Sequence, residues 1–141
     1  MANIENQEDR LLPEPDSISQ PFWDGLHSHR LMLQKCSDCG AIRHYPRPVC
    51  DQCYSMAFEW TEATGRGKVH SWTVSHYAFH FSFKKDLPMI LALVDLEEGV
   101  RLNCRLTGIA PDDVTFGLDV QVKFDDVTDD VTLPLVVPAD A

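Results

Sequence analysis

Long apolar runs are missing from this chain of 141 residues. A membrane-crossing helix needs about 18 or more consecutive apolar residues, so the sequence offers no such span. Positive charge is scarce: 12 Lys and Arg stand against 22 Asp and Glu, a net charge of −10. Such a surface repels a bulk polyanion like duplex DNA. Catalytic signatures are absent as well. No GxSxG, HExxH, Walker loop or GxGxxG occurs, which removes the sequence evidence for a serine hydrolase, a zincin, an NTPase or a dinucleotide enzyme. The opening "MANIENQEDRLLPEPDSIS" has no apolar core of the secretory type. The expectation is therefore an intracellular, cytoplasmic protein whose cysteines stay reduced.

The charge that exists is unevenly placed. Residues 1–30 carry two Arg against six acids, residues 31–85 seven Lys or Arg against four acids, and residues 86–141 three against twelve. Only the middle section is net positive. Six of its seven cations (Arg43, Arg47, Arg66, Lys68, Lys84, Lys85) suit one phosphorylated small molecule better than a nucleic acid, or else are scattered solvated side chains.

Four of the five cysteines fall in "CSDCGAIRHYPRPVCDQC", two CxxC pairs separated by ten residues. Each CxxC turns two thiolates into one site, and Gly40 relieves the first turn. Cys36, Cys39, Cys50 and Cys53 thus form a tetrahedral sulfur set that suits zinc; iron fits the same four sulfurs, and a redox dithiol or buried cysteines that merely pair are the plainer alternatives. With all four ligands supplied by protein, no position stays open for substrate or activated water, so the metal is structural. The fifth, Cys104, lies on the inward side of an alternating strand and reads as a small apolar core residue.

Organisation follows from periodicity. Residues 1–18 are polar, contain Pro13 and Pro15, and are expected to be mobile. Ser19 is placed to cap a short helix opening "QPFWDGLHSHRLML", with Pro21 in its first turn and Phe22 and Leu26 on one face. Short β elements carry the cysteine pairs, and Pro46 and Pro48 suit an edge or loop. After Gly65 and Gly67, five strands follow: "KVHSWTVSHYAFHFSF", "PMILALVDLEEG", "GVRLNCRLTG", "LDVQVKFDDV" and "VTLPLVVP". The third alternates cleanly, with Val100, Leu102, Cys104 and Leu106 inward. The predicted architecture is mainly β: a short N-terminal helix with a zinc ribbon over 19–62, then a five-stranded OB-type Greek-key barrel over 63–141.

Chemistry of its own is hard to find. His76 and His80 flank an aromatic stretch, but no acid lies near them in sequence, and polar punctuation at a strand end is the simpler reading. In that stretch Tyr77, Phe79, Phe81 and Phe83 alternate before Lys84 and Lys85. Three uses fit: base stacking, the lining of an acyl or pantetheine channel, or one face of a buried strand.

The order of these features resembles a known family. "FWDGLHSHRLMLQKCSDCGAIRHYPRPVCDQC", "FEWTEATGRGKVHSWTVSH" and "GVRLNCRLTGIAPDDVTFGLDVQVKF" together look like the acyl-CoA-associated OB-fold proteins with a rubredoxin-like zinc ribbon, a domain of unknown function numbered thirty-five. The resemblance spans about residues 20–137. It implies a non-catalytic accessory subunit that partners a thiolase-fold enzyme, or an acyl-CoA hydratase or aldolase, and helps organise or cover the acyl-CoA site. Cys36, Cys39, Cys50 and Cys53 match the ribbon ligands, and the "GRGKV" turn sets Arg66 and Lys68 where ribbon meets barrel. No catalytic residue carries over. The CoA-facing candidates are Arg66, Lys68, Lys84, Lys85, Phe79 and Phe81. Two other classes compete: a single-strand nucleic-acid binder, which the acidic surface disfavours, and a rubredoxin-like electron carrier.

Overall fold

Two β units share one continuous core. The computed structural model describes residues 11–139. A helix, α1 (Gln20–His27), is followed by β1 (Met32–Cys36), β2 (Ile42–Arg43) and β3 (Phe58–Glu62). These three strands form an antiparallel sheet in the order β2-β1-β3, so the proline-bearing return lies on an edge. Then come β4 (Arg66–Ser75), β5 (Met89–Leu96), β6 (Arg101–Leu106), β7 (Asp119–Asp126) and β8 (Thr132–Pro138). They close into a barrel ordered β4-β5-β6-β8-β7. The β6–β8 pairing is parallel, through Arg105 with Leu135 and Leu106 with Val136, and the other pairings are antiparallel. This is the OB connectivity.

Alternation explains the barrel. Ile90, Ala92, Val94 and Leu96 of β5 point inward, as do Leu102, Cys104 and Leu106 of β6, and they meet Val69, Val120, Val122 and Val136. The helix belongs to the same cluster: Phe22 and Leu26 are fully buried with Leu31 and Leu33, and α1 lies against β1 and β8. The apolar stripe of α1 is thus consumed within the chain. A second tie joins the two units at the surface. His29 Nε2 lies 3.0 Å from both carboxylate oxygens of Asp126, and its ring stacks on Phe124 at 5.2 Å.

Two expectations change. Ser19 does not cap α1: it sits in helical conformation, and its hydroxyl accepts from the Asp16 N–H at 3.1 Å. Asp16 closes the turn instead, accepting from Ile18 and Ser19 N–H at 3.0 and 2.7 Å; the Ser19 bond also holds its carboxyl below the usual range. The strand through Phe83 ends at Ser75, because its last partner on β5 is Met89 opposite Ser75. Among the described residues, those beyond it have no strand to pair with. The mobile segment foreseen over 1–18 falls partly on residues 1–10, outside the described residues; the Leu11 N–H lies 3.5 Å from Ser82 Oγ in the stretch between β4 and β5.

Gly67 shows how tightly β4 and β5 approach. A Cβ there would meet the Asp95 carbonyl oxygen at 2.6 Å and Val94 Cγ1 at 2.7 Å. Backbone cannot step aside as a side-chain tip can. Gly67→Ala is expected to cost about 1–3 kcal/mol, read as a lowered urea midpoint with an unchanged slope.

Candidate metal centre and aromatic lobe

Two knuckles build the metal centre. The first closes through Cys36 N–H to Ala41 O and Gly40 N–H to Cys36 O, at 2.8 and 3.0 Å, with Gly40 at φ +76°. The second repeats this with Cys50 N–H to Ser55 O and Tyr54 N–H to Cys50 O, at 2.9 and 3.0 Å. Tyr54 takes the left-handed conformation there, at φ +62°. Ser55 also donates its hydroxyl to Asp38, which ties the knuckles together.

The four sulfurs lie within 4.8 Å of one another. Cys36 to Cys53 and Cys39 to Cys50 are 3.6 Å apart. A disulfide needs about 2.05 Å, whereas sulfurs about 2.3 Å from a tetrahedral zinc stand about 3.8 Å from each other. The donor set therefore fits the metal and not a disulfide. The Cys39 backbone N–H faces Cys36 and, as the largest influence, pulls its thiol down to about 6, whereas Cys39 and Cys53 are pushed up by burial and by their neighbouring sulfurs. Cys104 stands apart in the barrel core, where burial pushes its thiol up to about 12; it is unreactive.

The loop between the knuckles is packed under the helix. Phe22 meets the rings of His44 and Tyr45 at 5.0 and 5.9 Å, and Trp23 Nε1 donates to the Tyr45 hydroxyl at 3.0 Å. Burial pushes His44 down to about 4, so it is neutral. Gln34, fully buried, donates to and accepts from the Arg47 backbone at 2.9 Å each way. Sequence reasoning missed Gln34. Its signal was a lone amide in the apolar run "LMLQKC", which needs a partner once buried.

The aromatic stretch is a lobe between β4 and β5, neither strand nor core. A 3-10 turn covers Phe81–Asp86, and His80 caps it by accepting from the Ser82 N–H at 3.3 Å. Phe79 is 92% exposed, Tyr77 69% and Phe81 58%. The buried-strand reading is therefore wrong. Their rings still support one another: Tyr77 with Phe79 at 5.0 Å, and His80 stacked on Phe81 at 4.5 Å. Beneath them runs an apolar groove of about 530 Å³, floored by Phe83, Leu87, Met89 and Leu91. Asp86, the acid of the lobe, is paired with Arg105 at 3.5 Å.

The six CoA-facing candidates are not brought together. Phe79, Phe81, Lys84 and Lys85 stand on the lobe. Arg66 and Lys68 lie at the other end of β4, roughly 25–30 Å away at about 3.3 Å per residue. They line a separate groove of about 680 Å³, where Arg66 pairs with Glu97 at 3.1 Å and Lys68 with Asp119 at 2.6 Å. The basic middle section is no continuous patch either. Arg43 is buried and Arg47 faces Asp51 at 3.9 Å.

With this geometry in hand, comparison with known proteins gives a consistent result. Residues 23–59 match the model of the ChsH2 rubredoxin-like zinc ribbon domain, and residues 60–125 that of the ChsH2 C-terminal OB-fold domain. The chain is 37% identical over 131 residues to a probable enoyl-CoA hydratase alpha subunit of Thermomonospora curvata, covering 92% of this chain and 40% of that one. It is 33% identical over 110 residues to a DUF35 domain-containing scaffold protein of Pyrococcus furiosus, covering 77% and 79%. Among solved structures, a chain of the Ltp2-ChsH2(DUF35) aldolase superposes with a TM-score of 0.84 at 35% identity, covering 92% of this chain and all of that one. The chain spans about two fifths of the length of the first curated relatives it matches. The four cysteines fall inside the matched ribbon, and the site is a structural zinc site.

Proposed function

The chain belongs to the DUF35 family of OB-fold proteins with a rubredoxin-like zinc ribbon, and from that premise we propose that it is a non-catalytic accessory subunit of a CoA-thioester enzyme. The observation that carries this reading is the aldolase chain that matches it from ribbon through barrel. The partner is a thiolase-fold enzyme, or a hydratase or aldolase of the kinds named among its relatives. In this role zinc holds the ribbon, the ribbon and barrel present a rigid surface, and the partner supplies the reacting groups. The setting is the cytoplasm, where the four thiols stay reduced and available to metal.

The part that meets substrate is the aromatic lobe. Phe79 and Phe81 cover the apolar arm of the thioester, and Lys84 and Lys85 face its phosphates. Among the described residues nothing covers these exposed rings, and large aromatics left in water mark a binding surface more often than a structural one. Arg66 and Lys68 are committed to carboxylates at the far end of β4. Arg66→Ala with Lys68→Ala is accordingly expected to leave the complex's KM for acyl-CoA within about twofold, measured by initial rates. The function itself is tested by reconstitution. The chain alone should turn over no CoA thioester, and adding it to its catalytic partner should raise the partner's rate; turnover by the chain alone would sink the reading.

A further inference from the structure

Arg43 is a buried cation whose charge no carboxylate among the described residues balances. It projects from β2 and is 3% exposed. Its Nη2 donates to the Arg47 carbonyl at 3.0 Å. Its Nε and Nη1 are buried without an acceptor, and no carboxylate pairs with it among the described residues. Taking a guanidinium out of water costs several kcal/mol unless an opposite charge compensates it. The Phe58 ring, 5.7 Å below the guanidinium carbon, offers a partial compensation only.

The sheet register indicates where the missing anion lies. Arg43 is paired with Gln34 across β1–β2. Cys36 is two residues on from Gln34, hence on the same face, and it is paired with Phe58 across β1–β3. By lying over Phe58, the guanidinium reaches from the Gln34 rung towards the Cys36 rung, on the face of the sheet that Gln34, Cys36 and Phe58 share. Four thiolates around a divalent ion carry a net negative charge, which is what this face lacks.

We propose that Arg43 is the buried counter-cation of the metal–thiolate centre. It acts on the site in two ways. Its charge offsets the net negative charge of a divalent metal held by four thiolates. Its bond to the Arg47 carbonyl, which Gln34 shares at 2.9 Å, holds the loop that delivers Cys50. The dependence is mutual: with the metal gone, Arg43 is a buried charge without an anion, and the loop over it, with His44 and Tyr45 against Phe22, loses its reason to stay closed. This inference rests on the metal assignment and is independent of any acyl-CoA role.

The test is metal affinity of the full chain, from competition with a chromophoric chelator, for Arg43→Gln and Arg43→Lys. Glutamine keeps a donor for the Arg47 carbonyl and removes the charge; lysine keeps the charge. Arg43→Gln should weaken zinc about 10–100-fold, the range found when a group behind a metal ligand is removed. Arg43→Lys should stay within about threefold of the native chain. With cobalt in place of zinc, the thiolate-to-cobalt charge-transfer bands should move in Arg43→Gln and not in Arg43→Lys. Native affinity in a folded Arg43→Gln would overturn the proposal, and so would an equal loss in both variants. Should Arg43→Gln fail to fold with metal present, Arg43→Lys alone decides: near-native retention supports the counter-charge, and a loss as large as that of Cys39→Ser refutes it.

Discussion

Cys39→Ser is expected to release the metal, unfold the ribbon and abolish the partner's activity without changing any residue of the partner. The magnitude follows from scale. Structural zinc contributes about 10–16 kcal/mol in isolated finger peptides, as much as the whole stability of an ordinary domain. The ribbon has little else: β2 is two residues long, and its sheet buries few apolar side chains beyond those shared with the helix. Loss of the metal should free the inter-knuckle loop and take His44 and Tyr45 off Phe22. The barrel, whose β5, β6, β7 and β8 side chains pack on one another, should persist as a partly folded remainder. Metal content by atomic absorption, tryptophan fluorescence of Trp23 and Trp60, and turnover of the reconstituted complex check the three parts. Full activity in a metal-free complex would show that the ribbon is not what organises the assembly.

The second large effect belongs to the lobe. Phe79→Ala with Phe81→Ala should leave stability within about 0.5 kcal/mol, since both rings stand in solvent. Catalytic efficiency of the complex should fall at least tenfold. A Phe ring that becomes buried on binding removes roughly 150–250 Å² from water, worth several kcal/mol at about 25 cal/mol per Å². Tenfold is only about 1.4 kcal/mol, so it is a conservative floor. Urea unfolding of the subunit and kcat/KM of the complex give the two readings. Unchanged efficiency would return the lobe to plain surface.

What could be read from the sequence was whatever a local pattern specifies. Two CxxC pairs announce a sulfur site regardless of fold. The alternation of Val100 to Leu106 matches an inward face that the structure places in the barrel. The lobe was misread because Tyr77, Phe79, Phe81 and Phe83 alternate like a strand. A strand also needs a partner, and β5 runs out at Met89 opposite Ser75. Ser19 and Asp16 are both good capping residues, and only the backbone geometry decided between them. The six CoA-facing candidates lay within twenty residues of sequence, yet an extended β4 carries two of them to the opposite end of the barrel. Arg43 looked like one more surface cation, because burial beneath a loop leaves no periodic trace.

The most direct measurement is affinity isolation of the tagged full chain from its native cells, with the co-purifying chains identified by mass spectrometry and the complex assayed on CoA thioesters. The account predicts a stoichiometric thiolase-fold, hydratase or aldolase chain whose turnover falls when this subunit is stripped away. Recovery of the chain by itself, or with nucleic acid in a salt-sensitive complex, would contradict it.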